Sequence, residues 1–338
     1  MASDRLAPET IRYNRRMLSE FDLIKRYFTR PTADNPRIGL GIGDDCALLR
    51  PAPGAELAIS TDMLVEGRHF FTGAEPEALG HKCLAVNLSD LAAMGAAPVA
   101  FTLALALPEA DPDWLEPFSR GLLALADAHG CALIGGDTTR GPRTISITVL
   151  GDLPGTSALR RDAARPGDDV WVSGTLGDAR LALGAYLQQY PLDPAQWLQA
   201  ATRLHRPTPR VALGLALRGT ARAAIDISDG FVGDLGHILT RSACGASIDV
   251  DALPLGAILR TQAQDRQRAC ALAGGDDYEL CFTAPVAQRA SVLAAGRASA
   301  TAVTRVGSID PLPGLRLRDG TGQTLALALS SFDHFNIP

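Results

Sequence analysis

Carboxylates recur beside glycines and hydroxyl side chains along this chain. Gly39-Leu40-Gly41-Ile42-Gly43 delivers Asp44 and Asp45, Ser60 and Thr61 precede Asp62, and Gly135-Gly136 precede Asp137. Asp226-Ile227-Ser228-Asp229-Gly230 repeats the theme in the second half, and Asn87 and Asp90 stand three residues apart, on one face of a helix. Taken singly, each reads as well as a cap, a surface turn or a satisfied structural carboxylate. Together they offer an oxygen-rich, strongly negative set that, on converging, would need divalent cations. Hard oxygen donors without a Cys or His cluster point to Mg²⁺ rather than zinc, and a magnesium cage suits a polyphosphate that supplies the remaining ligands. The chain has no G-x-x-x-x-G-K-[ST], so it is not a P-loop enzyme, and no H-R-D or D-F-G, so it is not a protein kinase.

The remaining composition narrows the class. At 338 residues the chain exceeds what one core usually supports, so two domains are expected, 1–157 and 158–338, divided near Leu153-Pro154-Gly155-Thr156-Ser157. Thirty-two Lys and Arg against 37 Asp and Glu give a net charge of −5, with no basic run to follow a nucleic-acid backbone. The six cysteines are scattered without a C-x-x-C pair, which fits a reducing cytoplasm. Residues 1–20 mix acids and arginines and do not form a signal peptide, and Val99–Leu107 is far short of the ~20 apolar residues that span a bilayer. No membrane partner is expected.

The elements that must position the acids follow from periodicity and punctuation. A helix is expected over Ser19–Phe28, another over Pro76–Met94 ended by Gly95, and a third over Trp114–His129. The Pro76–Met94 segment is apolar on nearly every side in its second half, so it should be buried, with Asn87 and Asp90 breaking the apolar surface. Leu57–Ser60 reads as a short strand ending in Ser60-Thr61-Asp62, and Cys131–Ile134 as one emptying into Gly135-Gly136-Asp137; Val99–Leu107 and Thr144–Leu150 alternate as strands. In the second half strands are expected at Val170–Val172, Ala223–Ile227, Ser247–Val250 and Tyr278–Thr283. Helices are expected from Asp178, from a Thr208-Pro209 cap, over Phe231–Ser242 and over about Leu255–Leu272. Strands alternating with helices give an α/β or α+β fold in both halves.

The ordered motifs Gly-Ile-Gly-Asp-Asp-Cys-Ala, Ser-Thr-Asp-Met-Leu-Val-Glu-Gly-x-His-Phe, Val-Asn-Leu-Ser-Asp-Leu-Ala-Ala-Met-Gly-Ala, Ile-Gly-Gly-Asp-Thr, Asp-Ile-Ser-Asp-Gly and Gly-Gly-x-Asp-Tyr-Glu-Leu closely resemble those of the thiamine-monophosphate kinase family, from about Glu20 to Phe335. That resemblance implies the two-domain architecture of aminoimidazole ribonucleotide synthetase: an N-terminal mixed sheet with helices, used for homodimerisation, and a C-terminal α/β domain. It implies ATP-dependent phosphorylation of thiamine monophosphate to thiamine diphosphate, with several Mg²⁺ ions. Carried over by position, Asp45, Ser60, Thr61, Asp62, Asp90, Asp137, Asp226 and Asp229 would hold magnesium. Gly136, Asp137, Arg161 and Ser228 would contact ATP, and His69, Asp276 and Phe332 would meet thiamine phosphate. The chain departs from the family's pattern at Asp276, commonly a Glu, and at Ser119, where an aromatic is often found.

No residue is assigned as acid or base. A phosphomonoester carries roughly −1.5 to −2 charges at neutral pH, so its oxygen is already a nucleophile. Three other readings stand beside this one. A selenophosphate synthetase-like enzyme is disfavoured because no N-terminal cysteine precedes the glycine-rich motif. An aminoimidazole ribonucleotide synthetase-like enzyme is disfavoured because Leu64–Phe70 replaces that family's Gly-x-Gly-Thr-Lys run. A non-catalytic nucleotide sensor would retain the cage without turnover.

Overall fold

A computed structural model describes residues 19–30 and 35–327 of the chain. The opening segment forms a helical turn, α1 (Glu20–Leu23), continued by a wider turn over Ile24–Phe28. A small ribbon, β1 (Ile38–Leu40) against β2 (Leu48–Leu49), carries the glycine-rich loop. Then follow β3 (Ala55–Val65), α2 (Pro76–Met94), β4 (Ala97–Leu107), α3 (Pro112–Ala128), β5 (Ala132–Arg140) and β6 (Thr144–Pro154). β3 to β6 form a mixed sheet of order β3-β6-β4-β5, in which only the β4–β5 pair is parallel.

The second half contains β7 (Asp168–Ser173), α4 (Asp178–Tyr186), α5 (Pro194–His205), α6 (Val211–Ala216), β8 (Ala223–Asp226), α7 (Phe231–Arg241) and β9 (Gly245–Asp249). α8 (Gln264–Ala273), β10 (Leu280–Pro285), α9 (Arg289–Ala298), β11 (Val303–Asp310) and β12 (Gly314–Arg318) complete it. Its sheet runs β12-β9-β11-β7-β10-β8 and is antiparallel except at β12–β9. The fold is thus α+β in both halves, as expected.

α2 is the central element. Pro76 sets its first turn, the Glu75 carboxylate caps the amides of Glu77 and Ala78, and Gly95 ends it in a left-handed conformation. Its side chains are buried almost continuously from Ala78 to Ala93 because other elements surround it. β3 and β6 lie on one side, α3 on another, and α6 and β8 of the second half on a third. Gly80 and Gly121 let α2 and α3 nearly touch: a Cβ on Gly121 would stand 1.9 Å from the Glu77 carbonyl oxygen. One core therefore joins Leu84, Leu88, Phe101 and Phe118 to Trp171, Leu213, Leu217 and Phe282 of the second half. β7 is buried on both faces, since Val170 and Val172 enter a second core with Phe231 and Ile248 while Trp171 enters the first.

Several boundaries differ from expectation for identifiable reasons. β3 does not stop at Ser60 but pairs with β6 from Ala55 to Val65, because that partner is equally long and hydroxyl residues are compatible with a ladder. β5 likewise runs on through Gly135-Gly136-Asp137. Thr208-Pro209 does not start a helix; α6 begins at Val211 after Arg210. The helix expected from Leu255 begins only at Gln264, after a turn at Leu259–Thr261, because the Asp178 carboxylate takes the backbone N–H of Leu259 at 2.8 Å. Among the described residues no helix is long and apolar enough to cross a membrane.

Candidate active site

The expected site residues fall into separate places within one chain. Strand alternation turns Ser60 and Asp62 toward α2, and Thr61 toward the opposite face of the sheet. There the Thr61 hydroxyl meets that of Thr148 at 2.8 Å, so it cannot join its two neighbours. Asp62, Ile147, Leu103 and Gly136 form one row across the sheet, with Asp62 on the β3 edge and Gly136 on the β5 edge. Three strand spacings separate them, about 14 Å. Asp137 is exposed in the next row, and Asp45 is exposed in the β1–β2 loop, where its N–H donates to the Asp44 carboxylate at 2.9 Å.

The remaining acids gather between the two halves. α2 presents Asp90 to β3, where the Ser60 hydroxyl donates to its carboxylate, and Asn87 accepts the Asp62 N–H at 3.2 Å. One residue earlier, the buried Ser89 hydroxyl donates to Asp226 at 2.8 Å, at the end of β8. Burial, and then the charges of Asp90 and Asp229, push the Asp62 carboxyl up to about 7. Burial and the neighbouring Asp90, Asp234 and Asp62 push Asp226 up to about 8, against the Ser89 hydrogen bond that favours its ionised form. Asp90 is also shifted upward by burial, opposed by its Ser60 bond and by the positive charge of Arg161. Ser60, Asp62, Asp90, Asp226, Asp229 and Arg161 therefore share one electrostatic neighbourhood.

Ser228 and Asp229 stand in the turn before α7. The Asp234 carboxylate accepts the N–H groups of Ser228, Asp229 and Gly230, each at 3.1 Å, and so shapes that turn from within. Tyr278 is half-buried beside the same acids; desolvation, followed by Asp276, Asp62, Asp226 and Asp229, holds its phenol well above its ordinary range. His69 follows β3, and its Nδ1 accepts the Val65 N–H at 3.1 Å. Asp276 is paired with Lys82 of α2, Nζ to Oδ1 2.6 Å, a contact that the sequence reading did not anticipate. A lysine inside an apolar helix was the available signal. Phe332 lies outside the described residues. Ser119 is buried in α3, its hydroxyl donating to the Glu116 carbonyl at 3.0 Å.

No three His, Cys, Asp or Glu side chains among the described residues are gathered as a ready metal cage. The donors nevertheless fit a hard cation. They are all oxygens, and the carboxylates are buried among like charges that raise their proton affinity, which is the penalty a divalent ion would remove.

The family model described as AIR synthase related protein, N-terminal domain, matches residues 43–153, and that for the C-terminal domain matches residues 165–319. The thiamine-monophosphate kinase of Salmonella typhimurium is 46% identical over 323 residues, which cover 94% of this chain and 99% of that protein. The crystal structure of thiamine-monophosphate kinase from Stenotrophomonas maltophilia superposes with a TM-score of 0.80 at 50% identity, covering 84% of this chain and 92% of the other. The complex of AaThiL with AMPPCP and TMP superposes with a TM-score of 0.73 at 31% identity, covering 85% and 89%. With acidic motifs, fold and near full-length identity in agreement, this chain belongs to the thiamine-monophosphate kinase family of AIR synthase related proteins.

Proposed function

We propose that this protein transfers the γ-phosphoryl group of ATP directly to thiamine monophosphate, forming thiamine diphosphate in the cytoplasm. The observation that carries the reading is the cluster in which Asp62, Asp90 and Asp226, joined through Ser60, Asn87 and Ser89, crowd together with raised proton affinity, in a chain whose relative AaThiL has been solved with AMPPCP and TMP. Bound Mg²⁺ would supply charge neutralisation between the two phosphates and orient them for in-line displacement. Asp62, Asp90, Asp226 and Asp229 would hold the ions, whose remaining ligands would come from phosphate oxygens and water. Ser60 orients the Asp90 carboxylate, Ser89 orients that of Asp226, and Arg161 adds positive charge beside Asp90. Ser228 and Gly136 would contact ATP, while His69, Asp276 and Phe332 would read the thiamine portion. The acceptor oxygen is already anionic, so no side chain is asked to remove a proton.

Asp45, Thr61, Gly136 and Asp137 enter the site, on this reading, in a homodimer. Leu57, Ile59 and Met63 are exposed on the outer face of the N-terminal sheet, at 36%, 61% and 57%, and among the described residues β3 and β5 are the edges of that sheet. A second copy covering that face would bring Gly136 and Asp137 of one chain against the β3 edge of the other, crossing the span that separates them within one chain. The division into an N-terminal part (1–157), which binds magnesium and ATP and dimerises, and a C-terminal part (158–338), which completes the site, belongs to the same proposal.

The test is turnover of ATP with thiamine monophosphate and Mg²⁺, with thiamine diphosphate and ADP separated by chromatography. Stoichiometric products, with thiamine a poor acceptor, are expected. Binding of ATP without turnover would instead favour the sensor reading.

A further inference from the structure

Lys82 is a buried cation, 6% exposed, and its neighbours three and four residues away along α2, Ala78, Leu79, Ala85 and Val86, are apolar. An ammonium so placed requires a partner, and it takes the Asp276 carboxylate from 194 residues away. The residues around Asp276 belong to no helix or strand that could fix their side chains. Asp276 and Tyr278 both adopt left-handed backbone conformations, with φ of 66° and 50°. For residues other than glycine this costs about 1–2 kcal/mol each and persists only where the surroundings hold it. Here the N–H of Asp276 donates to the Ser228 carbonyl at 2.9 Å and that of Tyr278 to the Ile227 carbonyl at 2.8 Å, so the segment lies along the acidic turn.

The same face of α2 governs both clusters. Lys82 and Ser89 are seven residues apart, two turns or about 10 Å, and project in nearly the same direction. Ser89 binds Asp226 while Lys82 binds Asp276. The Asp276 side chain is 28% exposed and that of Lys82 only 7%, so the ammonium lies behind the carboxylate and leaves part of it open to solvent.

We propose that Lys82 is a positioning residue for the acceptor: from α2 it anchors Asp276 in one orientation beside the acidic cluster, where the carboxylate meets the cationic ring of thiamine monophosphate. This rests on the thiamine-phosphate kinase reading and deepens it. Lys82 touches no substrate and acts through Asp276. Because the carboxylate is already paired, its contribution is orientation and a hydrogen-bond acceptor rather than a free negative charge. Without Lys82, Asp276 would sample several rotamers and each binding event would have to order it again.

Steady-state kinetics and thermal unfolding of Lys82→Met, Asp276→Asn and the double variant test this. Each single variant should raise KM for thiamine monophosphate about tenfold, the equivalent of 1.4 kcal/mol, and leave KM for ATP within about twofold. In the double variant no buried charge is left without its partner, so the unfolding midpoint should return toward wild type while KM for thiamine monophosphate stays raised. A mere clasp between the halves would recover KM together with stability, and that result would overturn the proposal. Lys82→Arg keeps the pair and should fold, yet it displaces the carboxylate and should also raise that KM; an unchanged value would count equally against the idea. A wild-type enzyme inactive on thiamine monophosphate would sink the parent reading. An active wild type with unaltered Lys82 variants would sink only this one.

Discussion

Two buried carboxylates, Glu279 at the end of the 274–279 segment and Asp226 at the end of β8, are treated in opposite ways. Glu279 is fully buried, and its carboxylate takes Nε and Nη2 of Arg210 at 2.6 and 2.5 Å, Nη2 of Arg203 at 2.9 Å and the Ser173 hydroxyl at 2.6 Å. Asp226 is nearly as buried, but its hydrogen bond comes from a neutral serine and the charges that weigh on it, Asp90, Asp234 and Asp62, are all negative. A carboxylate balanced within the chain ties the residue that precedes β10 to α5 and to the segment before α6, and it has a structural task. One left among like charges stores a demand for cations, which a ligand can meet. The difference between a hub and a site is therefore charge compensation rather than burial.

The comparison breaks most visibly at the acidic cluster. Asp226→Asn and Asp62→Asn should each lower kcat by about 100-fold or more, because charge aimed at the transferring group is lost. Neither should lower the unfolding midpoint measured in EDTA, since an amide is spared the desolvation and repulsion that burden the carboxylate. A large loss of stability with normal turnover would reverse the assignment. Glu279→Gln should do the converse. It leaves Arg203 and Arg210 without their anion and should cost about 3 kcal/mol in urea unfolding, with kcat per folded molecule largely kept.

A ligand sharpens the contrast. Mg²⁺ with a non-hydrolysable ATP analogue should raise the wild-type unfolding midpoint by mass action, and Glu279→Gln should show the same rise, whereas Asp62→Asn should show little of it. Equal rises in all three proteins would place the ions elsewhere. Asp234 falls between the two classes, being buried near Asp229 yet satisfied by three backbone N–H groups. Asp234→Ala should cost about 1 kcal/mol, as loss of a helix cap does, which chemical denaturation can resolve. It should also disorder the Ser228–Gly230 turn enough to raise KM for ATP.

Much of this was readable from the chain alone. Pro76 and Gly95 delimit α2, alternation locates β4 and β6, and the glycine and acid motifs define the chemistry, because caps, periodicity and donor types are local properties. What local pattern could not supply is which side chains meet. Ser60-Thr61-Asp62 has the composition of a strand end, and only pairing with β6 shows that the strand continues and turns Thr61 away from its neighbours. Lys82 finds Asp276 across 194 residues, and Arg210 finds Glu279 across 69. No periodicity encodes such partners. They are chosen when the two halves close on α2, because a charge removed from water must take whichever opposite charge the packing brings within reach.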